Sequence, residues 1–166
     1  GAGTINKSLS MDLDKLAGSD CQLLWQTGRY YFESIKSLVS GLPAGSISVH
    51  GFINRMDYAF AAADIIVSRA GAGTISELCL AGKPVILVPS PNVAEDHQTR
   101  NARALSEKNA AILVKDGDAP ATLVDVAVRL VSDKSQRAIL SENIKKMALR
   151  DADIKIASEV LKLAEG

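Results

Sequence analysis

Seven consecutive residues, Gly71-Ala72-Gly73-Thr74-Ile75-Ser76-Glu77, and the spaced set His97, Gln98 and Asn101 carry the groups best suited to meet a charged or hydroxylated ligand. Amides that open a helix at Ala72, Gly73 and Thr74 favour an anion, because peptide dipoles align there and the first amides lack carbonyl partners. A phosphate fits that description. Gly71 and Gly73 are expected to permit backbone angles that other residues avoid, and a close approach to the main chain. The Glu77 carboxylate can accept both vicinal hydroxyls of a ribose, and Gln98 offers a donor and an acceptor to sugar hydroxyls. His97 and Asn101, four apart, share a helix face. The combination suits a sugar nucleotide. Purely structural readings stand beside it. Thr74-x-x-Glu77 matches a capping box, and His97, Gln98 and Asn101 can form a solvated first helical turn.

Other chemistries find less support. Gly71-Ala72-Gly73-Thr74-Ile75-Ser76 lacks the third glycine of a dinucleotide fingerprint and lies mid-chain instead of after a first strand, so NAD is a weak candidate. No GxxxxGK[ST] phosphate loop and no GxSxG elbow occurs. His50 and His97 are the only histidines, without an HExxH or a cysteine cluster, so no metal site is expected. Asp151-Ala152-Asp153 has the spacing of a metal-binding carboxylate pair but opens a helix, and is read as N-capping.

The elements that must position these groups alternate regularly. Strands are expected at Cys21–Gln26, Ser46–Phe52, Ile65–Val67, Val85–Val88 and Ala111–Val114. Between and after them fall helices at Tyr30–Val39, Met56–Ala63, Thr74–Leu80, His97–Lys108, Ala121–Val131, Ser135–Leu149 and Asp153–Leu163. Gly82 and Pro84 stop the helix that follows the glycine turn. This is an α/β chain with a doubly wound parallel sheet, and ligands bind such folds outside the carboxyl ends of the strands. The exits are Thr27-Gly28, Gly51-Phe52-Ile53, Ser68 to Thr74 and Pro89 to Gln98. A helix with Ile5, Leu9, Leu13 and Leu16 on one face opens the chain behind Gly1-Ala2-Gly3, with no strand before it. The first strand of the sheet is therefore expected to lie upstream of the given sequence.

Composition narrows the partners. The 166 residues are 47% hydrophobic and 23% charged, enough for one domain with a core. Lys plus Arg and Asp plus Glu both number 19, so no broad field favours nucleic acid or an anionic membrane. Aromatic residues are only 4%, too few for a base-stacking surface, and no nucleic-acid partner is expected. Cys21 and Cys79 stand apart, without a CxxC neighbour, as reduced core cysteines of a cytosolic protein do. No apolar run reaches the roughly 20 residues of a membrane span.

Four blocks in order, Gly51-Phe52-Ile53-x-x-Met56, Ser68-Arg69-Ala70-Gly71-Ala72-Gly73-Thr74-Ile75-Ser76-Glu77, Gly82-x-Pro84-x-x-x-Val88-Pro89 and Asp96-His97-Gln98-x-x-Asn101-Ala102, together resemble the C-terminal half of the MurG family. These are bacterial glycosyltransferases of family 28 that move N-acetylglucosamine from UDP-GlcNAc onto undecaprenyl-pyrophosphoryl-N-acetylmuramoyl-pentapeptide in peptidoglycan synthesis, turning lipid I into lipid II. The resemblance implies a Rossmann-like half of a two-domain GT-B enzyme, the whole of residues 1–166 being the C-terminal donor-binding domain. It implies that the backbone at Ile53 reads the uracil, that Ala72, Gly73, Thr74, Ile75 and Ser76 cradle the pyrophosphate, and that Glu77 holds the ribose hydroxyls. Gln98 with His97 would hold the GlcNAc hydroxyls, and Gly1-Ala2 would end the family's second glycine loop. It further implies an inverting reaction with no metal or other cofactor. The general base, the acceptor site and the contact with the inner face of the cell membrane would all belong to an N-terminal domain. By itself the chain would then be inactive. Two other readings stay open: a stand-alone donor subunit that docks on a membrane-bound partner, and a non-enzymatic α/β module that binds another phosphate.

Overall fold

The computed structural model of the chain describes residues 2–43, 45–92 and 96–165. Five short strands make two parallel ladders. In the first, β1 (Leu23–Gln26) pairs with β2 (Ile47–His50), Leu23 opposite Ile47 and Gln26 opposite His50. In the second, β3 (Ile66–Ser68), β4 (Val85–Leu87) and β5 (Ile112–Leu113) lie side by side in that order. β1, β2, β4 and β5 are shorter than the sequence expectation and β3 is shifted by one residue to Ile66–Ser68, because a strand lasts only as long as its neighbour supplies partners. Thus β2 ends at His50, where β1 ends at Gln26.

Parallel strands need helical crossovers, and the helices supply them. They are α1 (Gly3–Met11), α2 (Leu13–Ala17), α3 (Phe32–Val39), α4 (Met56–Ala62), α5 (Ala72–Ala81), α6 (His97–Ser106), α7 (Ala119–Ser132), α8 (Lys134–Lys145) and α9 (Ala152–Glu165). Several of these depart from the sequence expectation, among them α3 (from Phe32, not Tyr30), α6 (to Ser106, not Lys108) and α7 (from Ala119, not Ala121). The opening helix breaks at Asp12, whose angles (φ −120°, ψ 32°) are not helical, and so divides into α1 and α2. The helix expected to reach Leu149 stops at Lys145, although Met147 and Ala148 still pack on the core. Downstream of the glycine turn, α5 starts at Ala72, two residues earlier than expected. At the head of α9 the Asp151 carbonyl accepts the Lys155 amide at 3.0 Å, which puts Asp151 at the helix entrance as read from sequence.

β4 shows why the fold has two cores. Its side chains alternate between faces, and both faces are covered. Ile86, with the following Val88, joins Ile5, Leu9, Trp25 and Leu123 on the side of α1 and α7. Val85 and Leu87 join Leu78, Cys79, Ala102 and Ile144 on the side of α5, α6 and α8. All four β4-side residues, Val85 to Val88, are completely buried. Among the described residues no backbone ladder joins β1 to β3. The two ladders are instead connected through the first core and through α1. Buried Asn6 on α1 accepts the Trp25 indole N–H at 2.9 Å and donates to the Thr27 carbonyl at 2.9 Å.

Candidate functional site

β3 delivers the chain to a turn at its carboxyl end, and α5 opens there. Gly71 is the N-cap, with ordinary extended angles (φ −66°, ψ 147°), and its carbonyl accepts the first helical bond, from the Ile75 amide at 2.9 Å. The amides of Ala72, Gly73 and Thr74 precede that bond and have no carbonyl one turn back. Neither glycine needs an unusual backbone angle, contrary to the sequence expectation. What Gly73 provides is space: a Cβ built there meets no atom within 4 Å. Ala72 and Gly73 are exposed and Thr74 is half-buried.

Starting α5 at Ala72 also settles the capping box. Thr74 falls at the third helical position instead of the cap, and no side chain caps this end. Glu77 lies in the second turn and is exposed, out of register for reaching back to an N-cap amide. Its carboxylate faces solvent. Ser76 turns its hydroxyl onto the Ala72 carbonyl at 3.2 Å. Ile75 uses its amide in the helix and packs its side chain against the second core.

The turn is held from α6. Gln98 Oε1 accepts the Ser90 amide at 2.9 Å and the Ala70 amide at 3.4 Å, and Asn101 Nδ2 donates to the Ala70 carbonyl at 3.0 Å. Because both partners of Oε1 are N–H donors, the orientation of the Gln98 amide is fixed, and what Gln98 can still offer a ligand is its Nε2 donors. Ala70 is completely buried between these contacts. His97, exposed at the head of α6, follows Asp96, which takes the left-handed conformation (φ 51°) and accepts the Thr99 hydroxyl at 2.6 Å. The structure thus gathers Ala70 to Thr74, Gln98 and Asn101 into one cluster, with His97 at its rim.

A second polar linkage lies beside that cluster and was not singled out from sequence. Arg69, just before the turn, donates to the Val88 carbonyl at 2.9 Å and forms an ion pair with Asp116. The other Asp116 oxygen accepts the Thr4 hydroxyl at 2.9 Å. Asp116 follows β5 in a Lys-Asp-Gly-Asp turn that reads only as a loop, and its partners are 47 and 112 residues away.

Ile53 stands elsewhere, at the exit of β2. Its amide donates to Gln26 Oε1 at 2.8 Å, so that amide already has a partner within the chain. It lines an open groove of about 420 Å³ with Leu24, His50, Phe52, Arg55 and Tyr58, and no residue of the glycine turn lines that groove. Arg55 lies over the Tyr58 ring, 3.9 Å from its centroid, and its hydrogen bond to Asp57 holds that carboxyl below the usual range. Gly1, expected to belong to the opening glycine loop, is outside the described residues. Among the described residues no three His, Cys, Asp or Glu side chains stand together as a metal site would need.

Residues 1–156 match the glycosyltransferase family 28 C-terminal domain. The chain is 50% identical over 165 residues to the UDP-N-acetylglucosamine--N-acetylmuramyl-(pentapeptide) pyrophosphoryl-undecaprenol N-acetylglucosamine transferase of Parabacteroides distasonis, covering 99% of this chain and 45% of that protein. A protein of the same name from Bacteroides thetaiotaomicron is 53% identical over 169 residues, with the same coverage. The chain spans less than half the length of these curated relatives. Among solved structures it is similar to MurG of Acinetobacter baumannii, with 27% identity, a TM-score of 0.85, and 98% of this chain and 47% of that chain covered. It shares its fold with the glycosyltransferase VinC, solved in complex with dTDP, at 22% identity and a TM-score of 0.74 over 95% of this chain and 37% of that one. The expected Rossmann-like half of a GT-B architecture is borne out.

Proposed function

The chain belongs to the glycosyltransferase family 28 C-terminal domain family, and from that premise we propose that it is the donor-binding half of an inverting hexosyltransferase that takes N-acetylglucosamine from UDP-GlcNAc. One observation carries this reading: α5 opens at the carboxyl end of a parallel strand with the Ala72, Gly73 and Thr74 amides ahead of its first helical bond, and Ala72 and Gly73 are exposed. In the reaction an acceptor hydroxyl attacks the anomeric carbon and gives up its proton to a base. The bond from that carbon to the β-phosphate oxygen breaks, and UDP leaves with the electron pair. Charge then grows on the β-phosphate, where fixed helix-terminal amides stabilise it without reorganising. That role is one a divalent cation fills in other transferases, so no metal is required.

The remaining groups take parts that their placement allows. Exposed Glu77 accepts the ribose hydroxyls, the Gln98 Nε2 donors and His97 meet the GlcNAc hydroxyls, and the Ile53 carbonyl reads the base. No residue of this chain is assigned as the general base. By analogy with the names its relatives carry, the acceptor is undecaprenyl-pyrophosphoryl-MurNAc-pentapeptide, bound through another domain that also meets the cytoplasmic face of the membrane. No helix among the described residues is long and apolar enough to cross a membrane.

Calorimetric titration with UDP-GlcNAc, UDP, UDP-glucose and NAD, each with and without magnesium, tests this. The expected result is binding of the UDP ligands, unchanged by magnesium, with NAD silent. A folded chain that binds NAD, or that binds UDP only with magnesium, would overturn the proposal.

A further inference from the structure

Gln26 is the last residue of β1, and its side chain reaches across to the exit of β2, where Oε1 accepts the Ile53 amide at 2.8 Å. Because the Ile53 group is an N–H donor, the accepting end must be the carboxamide oxygen, and the bond fixes which way round the Gln26 amide stands. Nε2 is the end left over, and among the described residues it has no partner within the chain. The donor of the Ile53 backbone is in this way handed on: the carboxamide takes a hydrogen bond at one end and offers N–H groups at the other. Gln98 is turned the same way by the Ser90 and Ala70 amides.

Gln26 also lies on the face of the sheet that carries the groove beside Ile53. Residues two apart in a strand share a face, so exposed Gln26 goes with exposed Leu24, away from buried Trp25. Leu24 lines that groove, and so does His50, the register partner of Gln26. Phe52 lines it too and is 60% exposed, whereas the Tyr58 ring is covered by Arg55. An exposed aromatic ring beside a hydrogen-bonding edge suits a heterocyclic base, since stacking adds affinity for any base and the edge selects among them.

We infer that Gln26 is a specificity-determining residue for the base of the nucleotide, its Nε2 donating to a ring carbonyl oxygen while the Ile53 carbonyl accepts the adjacent ring N–H. This rests on the donor-site reading above. Such a pair selects an imide edge, the neighbouring C=O and N–H of uracil or thymine. Cytosine reverses both groups: it brings an amine toward the Gln26 donor and an unprotonated ring nitrogen toward the Ile53 carbonyl. Polar groups left facing their own kind are the strongest basis for rejecting a ligand of the same shape.

The test is calorimetric titration of the parent chain, Gln26→Glu and Gln26→Met with UDP and with CDP, each variant also followed by urea unfolding. Gln26→Glu keeps an oxygen for the Ile53 amide but presents an acceptor where the parent presents a donor. Its added charge repels both diphosphates alike, so the readout is the ratio of the two dissociation constants. The parent should prefer UDP by about 10- to 100-fold, and Gln26→Glu should cut that preference at least about tenfold. Gln26→Met, similar in shape without the polar end, should weaken UDP by about 3- to 10-fold. Unfolding should be nearly unchanged in both variants, because the side chain is exposed. An unchanged ratio in Gln26→Glu would overturn the inference and leave Gln26 as a brace for the loop. Tighter UDP binding by Gln26→Met would also overturn it, making Gln26 a placeholder that the base displaces. A parent that binds UDP without preferring it to CDP overturns this inference alone. A parent that binds neither overturns the donor-site reading and this inference with it.

Discussion

Gly73 and Glu77 separate binding from folding most cleanly. An alanine at Gly73 meets no neighbour within 4 Å, and alanine is favoured over glycine in a helix by up to about 1 kcal/mol. Its methyl would lean toward the helix N-terminus, over the amides assigned above to the diphosphate. Gly73→Ala should therefore raise the melting temperature slightly while weakening UDP at least about tenfold by calorimetry, the scale of a lost close contact. Glu77 has been released from any capping duty by the early start of α5. Glu77→Ala should leave thermal unfolding nearly unchanged and weaken UDP, and unchanged UDP affinity would remove Glu77 from the site. Both residues were visible in the sequence, but the reason for the glycine was not. A backbone angle is set by the residue's own turn, whereas open space is set by everything that fails to pack there.

Helix α5 shows how one element serves both ends. Its far end closes at Gly82, whose left-handed angle (φ 63°) does demand glycine, and whose Cβ would come within 2.5 Å of Lys145. Gly82→Ala should cost about 1–2 kcal/mol in urea unfolding. It lies a helix length from the amides and should leave UDP affinity unchanged. Cys79, on the buried face of the same helix, has its thiol pKa pushed up by burial from an ordinary 9.0. Above that ordinary value the unfolded thiol loses its proton while the native one keeps it, so stability falls as pH rises toward the native pKa. Unfolding free energies measured from pH 8 to 10 should decline less steeply in Cys79→Ala. At neutral pH, half-buried Cys21 should be alkylated well before Cys79.

Across the molecule, α1 joins what the ladders leave separate. Asn6→Ala would orphan the buried Trp25 indole N–H and the Thr27 carbonyl, at about 1–3 kcal/mol for each group. A fall of that size in unfolding free energy, read from Trp25 fluorescence in urea, is the expected outcome. At the other end, α9 keeps Ile154, Ile156, Val160, Leu161 and Leu163 exposed, 84% in the case of Leu163. The α/β alternation and the stop at Gly82 could be read from the sequence, because periodicity and turn chemistry are local. So could the glycine turn with Gln98 and Asn101 as a set. The Gln98 grip on Ala70 and Ser90, the Thr4–Asp116–Arg69 linkage and the Asn6–Trp25 bond could not. Each joins groups between 8 and 112 residues apart, and only folding brings such donors and acceptors within hydrogen-bond distance.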